Sequence, residues 1–296
     1  MRSVPRRRMV AAAVSLMATA IGVAGVAAPA RAQVVESGTF TFSGDPGDPV
    51  SLGQSYSYAT ASGDQLGVGG VNRAEHEISF DVHGANGDLW TLTLAAPEGQ
   101  DLTVGTFTGA GRYESASAPG LSLDGNGRGC LALSGAFTIH QLVFGPYGYV
   151  EKLDASFEQT CAGAEGSTRG EVHVVNSPAP AALDLGLDVA TSGTASSLNG
   201  KATVSGTVTC TEPVAIIVTG EVRQQHGRLL AHGSFRADVT CGPGAPVPWS
   251  ATVPPYGEVA FGGGDADVTA RAEAYDDTWN AWPIVDDTAV VRLKKS

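Results

Sequence analysis

The chain has 296 residues, of which 39 are Gly and 16 Pro; hydrophobic residues make up 43% and charged residues only 16%. That aliphatic content excludes disorder along the whole length, glycine without a three-residue period excludes collagen, and the shortage of charged residues excludes coiled coils and long helical bundles. Eighteen basic against 30 acidic residues exclude a nucleic-acid binder that works through bulk positive charge.

Residues 1–32 read as an export signal. Arg2, Arg6, Arg7 and Arg8 form a basic head, an apolar stretch runs from Met9 to about Val26, and Ala30-Arg31-Ala32 is a small-x-small cleavage site. Cleavage is expected after Ala32, by the general secretory or the twin-arginine route. Without the leader's five arginines (2, 6, 7, 8 and 31) the 18 basic residues fall to 13 against 30 acidic, a net charge of −17. Such a product is expected to be secreted and acidic, repelling nucleic acid and anionic lipid. No second long apolar run follows, so no stable membrane insertion is expected.

The rest of the chain alternates with period two and is punctuated by Gly, Pro, Asn and Asp, which predicts an all-β protein. In the first half the segments Thr39–Ser43, Ser55–Thr60, Glu75–His83, Leu89–Leu94, Cys130–His140, Tyr149–Cys161 and Gly170–Val175 read as strands. Residues 44–49 (GDPGDP), 85–88 (ANGD) and 124–127 (DGNG) read as turns. Gly67-Val68-Gly69-Gly70 reads as a glycine-rich loop. Asn176-Ser177-Pro178-Ala179-Pro180 breaks the pattern and suits a short, stiff linker. Beyond it, Leu183–Ala190, Lys201–Cys210, Val214–Arg223, Leu229–Cys241, Val247–Val253, Asp267–Tyr275 and Thr288–Leu293 form a second series, whose count and spacing suit an immunoglobulin-like sandwich. The expected organisation is therefore two consecutive antiparallel β-sandwiches after the leader: residues 33–176, a linker at 177–183, and residues 184–296.

Four cysteines remain in a chain expected in an oxidising compartment, so two disulfides are expected. Equal separations, and the Pro-rich stretch between the pairs, favour Cys130 with Cys161 and Cys210 with Cys241. Each bridge would stabilise its own domain by about 3.5 kcal/mol.

The stretches at residues 124–130 (DGNGRGC), 134–138 (SGAFT), 143–150 (VFGPYGYV) and 155–161 (ASFEQTC) carry a resemblance. With Pro46-Gly47-Asp48 and Gly53-Gln54-Ser55-Tyr56, they make residues 36–175 similar to secreted β-sandwich domains of actinobacteria. Residues 184–293 resemble small immunoglobulin-like exported domains of the same bacteria, through residues 206–210 (GTVTC), 222–224 (VRQ) and 249–253 (WSATV). The resemblance implies compartment and fold and supplies no catalytic motif.

A hydrolase needs a nucleophile with its base, paired carboxylates or a metal constellation. The chain has no G-x-S-x-G, no H-E-x-x-H and no P-loop. His76 and His83 fall on opposite faces of one strand, whereas Glu171 and His173 share a face. Glu158 is placed to pair with a basic group such as Arg128. The most suggestive stretch runs from Asp276 to Asp287, where Asp276, Asp277, Trp279 and Trp282 combine flat apolar rings with carboxylates. The expectation is a non-catalytic interaction module with no cofactor and no metal, whose partner is an extracellular glycan or protein. Two alternatives stay open: a small secreted hydrolase acting on a glycan or ester, and a structural envelope component.

Overall fold

The computed structural model describes residues 33–70 and 75–296; the leader expected at 1–32 lies outside the described residues. Within them the regular structure is strand, apart from two single 3-10 turns at Thr60–Ser62 and Pro146–Gly148. No helix of the described residues is long and apolar enough to cross a membrane.

The first sandwich contains β1 (Gln33–Val34), β2 (Ser37–Gly44), β3 (Ser55–Ala59), β4 (Gln65–Gly70), β5 (Glu77–His83) and β6 (Leu89–Ala95). It continues with β7 (Gly105–Ala110), β8 (Gly120–Gly125), β9 (Leu133–Phe144), β10 (Val150–Cys161) and β11 (Thr168–Val175). Five strands pair in the order β1-β4-β5-β6-β8 and six in the order β3-β2-β11-β10-β9-β7. Alternation supplies the core: Ile78, Phe80 and Val82 point inward from β5 and meet Phe40, Phe137 and Phe157 from the other sheet, all buried. Burying each such ring stabilises the fold by about 1.5–3 kcal/mol. Trp90 packs edge-on against Phe42 at 4.8 Å, and the guanidinium of Arg128 lies 4.8 Å from its centroid.

Two expectations are corrected here. Gly67–Gly70 belongs to β4, a strand paired along its length with β5, with Val68 fully buried. Glycines there leave little side-chain patterning, and the strand is held by its neighbours rather than by its own propensity. Glu158 pairs with Arg169 at 3.0 Å, because the two are opposed in the β10–β11 register, while Arg128 caps Trp90. Strands β1, β7 and β8 were not expected either.

The second sandwich contains β12 (Leu185–Val189), β13 (Ser192–Ala195), β14 (Ala202–Cys210) and β15 (Val214–His226). Strands β16 (Leu229–Cys241), β17 (Val247–Val253), β18 (Gly264–Ala274) and β19 (Ile284–Lys295) complete it. Strand β14 is flanked by β12 and β17; β19, β18, β15 and β16 follow one another in the other layer. Short β13 joins the layers, pairing antiparallel with β14 and parallel with β19. Strand β18 alternates strictly: Ala266, Val268, Ala270, Ala272 and Ala274 face inward, while Asp265, Thr269 and Arg271 face out. From β16 in the same layer, Phe235 stacks on Trp249 of β17 with centroids 5.6 Å apart.

Both disulfides join the expected partners, Cys130 with Cys161 and Cys210 with Cys241. The second crosses from the end of β14 to the end of β16, linking the two layers. Three glutamines act as surrogate strand partners, each exchanging two amide bonds with one backbone residue. Gln33 does so with Val150, Gln159 with Leu123 on edge strand β8, and Gln224 with Gly262. Buried edge groups of this kind cost about 1–3 kcal/mol if left unmade.

Candidate functional site

The connection between β18 and β19 is a tight hairpin. Asp276 and Ala281 exchange backbone bonds at 2.8 and 3.2 Å, and the turn they close contains Asn280 at φ 48°, a conformation that asparagine tolerates. The side chain of Asp276 is fully buried at 0% exposure. Its Oδ1 accepts the N–H of Trp279 at 3.1 Å, and its Oδ2 accepts the N–H of Leu183 at 2.9 Å. One carboxylate therefore fixes the turn and ties it to the chain entering the second sandwich.

The other acidic residues of the stretch separate in role. Asp286 forms a two-pronged pair with Arg271 at 2.7 and 2.9 Å, and that hydrogen bonding holds its carboxyl below the usual range. Asp287 accepts the N–H of Val189 at 2.8 Å. Asp277 is exposed. The sequence placed four carboxylates in one segment; the fold directs them to a buried cap, a cross-strand ion pair, an edge strand and solvent.

The two indoles also part company. Trp279 is half-buried and turns toward the first sandwich, with its centroid 5.7 Å from both Tyr147 and Tyr149 and its Nε1–H donating to the carbonyl of Ala181 at 3.4 Å. The linker is held from the other side as well. Ser177 donates from N–H and hydroxyl to Glu36, Ala179 donates its N–H to Glu151, and the Tyr149 hydroxyl donates to the carbonyl of Ser177. Burial, then the carboxylates of Glu36 and Glu151, raise the Tyr149 pKa. Tyr147 lies in the Pro146–Gly148 turn and Tyr149 closes it, at the start of the strand expected from Tyr149.

Trp282 is 57% exposed and lies 5.3 Å from Tyr275, itself 38% exposed, across the hairpin. Ile284, also exposed, extends the apolar surface. The Tyr275 hydroxyl donates to Asn280 Oδ1 at 2.6 Å, which orients its ring. Tyr275 is the last residue of the strand expected at Asp267–Tyr275 and was not among the candidate site residues; its position one residue before Asp276 makes it a cross-strand partner for Trp282 once the hairpin register is known.

The outer face of the six-stranded sheet is the other candidate surface. A shallow trough of about 690 Å³ crosses it, bordered by Thr41, Ser55, Thr138, Ser156, Arg169 and Glu171. Glu171 and His173 do share this face. His173 is bracketed, with Nδ1 3.3 Å from Asp154 and Nε2 3.7 Å from Glu171. Both ring nitrogens are thus turned to carboxylates. His140 meets the Ser156 hydroxyl at 3.0 Å on exposed strand surface.

No known family model matches the sequence, and no curated protein matches it either.

Proposed function

We propose that this chain is an exported, non-catalytic interaction module that binds an extracellular glycan or peptide through the aromatic surface formed by Tyr275 and Trp282. The carrying observation is Trp282, a large ring exposed on a hairpin whose conformation is set by a fully buried carboxylate. A rigid exposed ring offers apolar area at little cost in conformational entropy, and an adjacent tyrosine adds a polar edge. Asp277 beside the hairpin supplies an acceptor for a sugar hydroxyl or a peptide amide.

Export is supported by the basic, apolar and small-x-small order of residues 1–32 and by two disulfides with no unpaired cysteine among the described residues. This reading places the chain with the actinobacterial exported sandwich proteins that residues 36–175 resemble. The test is a pull-down of the purified protein on insoluble cell-wall glycan, with a soluble glycan array alongside. The wild type is expected to be retained and Trp282→Ala released; equal retention of both would overturn the assignment.

A further inference from the structure

Strand β5 begins with Glu77, which is opposed to Ala95 on β6, and Ala95 is in turn opposed to Gly120 on β8. That row has two small members, so the sheet surface beside Glu77 is open. Into the opening folds Glu114, from the connection between β7 and β8. A methyl group added at Gly120 would stand 3.1 Å from the Glu114 carboxylate, and 2.8 Å from its backbone nitrogen. The imidazole of His76, immediately before β5, reaches the same place. One donor atom from each of His76, Glu77 and Glu114 lies within 4.8 Å of the others, and all three residues are half-buried.

Two half-buried carboxylates facing each other repel. None of the three side chains has a hydrogen-bonding partner among the described residues. An apolar floor, converging charges and unmatched acceptors are what a cation would complete. One imidazole nitrogen with two carboxylate oxygens suits a zinc-class ion; calcium and magnesium take oxygen donors. Such an ion, bonded at about 2.0–2.2 Å to each ligand, needs donors roughly 3.4 Å apart, a contraction that side-chain rotation supplies.

We propose that His76, Glu77 and Glu114 bind one divalent transition-metal ion of the zinc class, with three protein ligands and a remaining position for water. Sequence reading set His76 aside because its nearest histidine, His83, lies on the opposite face; the second carboxylate comes from a connection three strands later.

The experiment is isothermal titration of zinc into the tag-free full chain, metal-stripped beforehand, with melting temperature measured in parallel. One zinc ion per chain is expected, weakened at least tenfold in His76→Ala and in Glu114→Gln, and unchanged in His173→Ala, which tests the other histidine–carboxylate group. Zinc is expected to raise the melting temperature of the wild type and of His173→Ala only, since a ligand stabilises the state it binds. Without metal, Glu114→Gln should melt no lower than wild type, because the change removes a repulsion; this shows that the variant folds. Absence of stoichiometric zinc binding, equal binding by His76→Ala and Glu114→Gln, or equally tight calcium binding would each overturn the proposal.

Discussion

Asp276 Oδ2 accepts the backbone N–H of Leu183 at 2.9 Å, fastening the last hairpin of the second sandwich to the first residues that enter it. The bond spans the whole second domain in sequence, yet it is local in space because β12 and β19 are adjacent in the fold. With the Trp279 amide on Oδ1, it makes Asp276 a structural hub beneath an exposed aromatic surface.

Replacing Asp276 by Ala leaves two amides without their charged acceptor, one of them buried, and should lower the unfolding free energy of the second sandwich by about 2–3 kcal/mol. Asp277→Ala, one residue away on exposed surface, should change it by less than about 0.5 kcal/mol. Denaturant titrations of the two variants check the contrast; equal losses would mean that Asp276 has no special part.

In the first sandwich the Trp90 Nε1–H donates to the Tyr58 hydroxyl at 2.8 Å, which donates to Asp88 at 2.7 Å. Tyr58→Phe should cost about 1–3 kcal/mol by leaving the buried indole N–H unmatched. The same chain predicts a pH response. Hydrogen bonding from Tyr58, joined by Asn86 and Asn126, lowers the Asp88 pKa from its ordinary 3.8, so its contribution is present above that value and lost as pH falls below it. Burial, then Asp88, raises the Tyr58 pKa above its ordinary 10.0, so that contribution is intact below pH 10 and lost as pH rises through the raised value. Melting temperature against pH should fall on both sides in the wild type; in Tyr58→Phe the alkaline fall should shrink.

Reduction of both bridges should remove about 3.5 kcal/mol from each sandwich. Intact mass with and without reduction, followed by alkylation, should show four cysteines reacting only after reduction, and the mass of the exported protein should begin at Gln33. Alkylation without reductant would contradict the bridges.

Much of the fold was legible because burial imposes a period of two: Ile78, Phe80 and Val82, or Val268 to Ala274, state their inward face directly. Strand β4 was not legible, since Gly67, Gly69 and Gly70 have no side chains to alternate, and short β13, with Ser192 and Gly193, is held by its partners. The disulfides were readable from their spacing and from the export signal expected at residues 1–32. The candidate surface was readable as a segment but not as a geometry, because neither the hairpin register that pairs Tyr275 with Trp282 nor the first-domain tyrosines that take up Trp279 can be seen along the chain. Glu114 and Glu77 meet only through pairing across β5, β6 and β8, which local pattern does not encode.

The division of labour between the two indoles is the center of the account, and retention on cell-wall glycan by Trp279→Phe and Trp282→Ala tests it most directly, with melting temperature recorded for each. The account predicts that Trp282→Ala keeps the wild-type melting temperature and loses retention, while Trp279→Phe keeps retention and melts a few degrees lower. Retention lost in Trp279→Phe and kept in Trp282→Ala would contradict it.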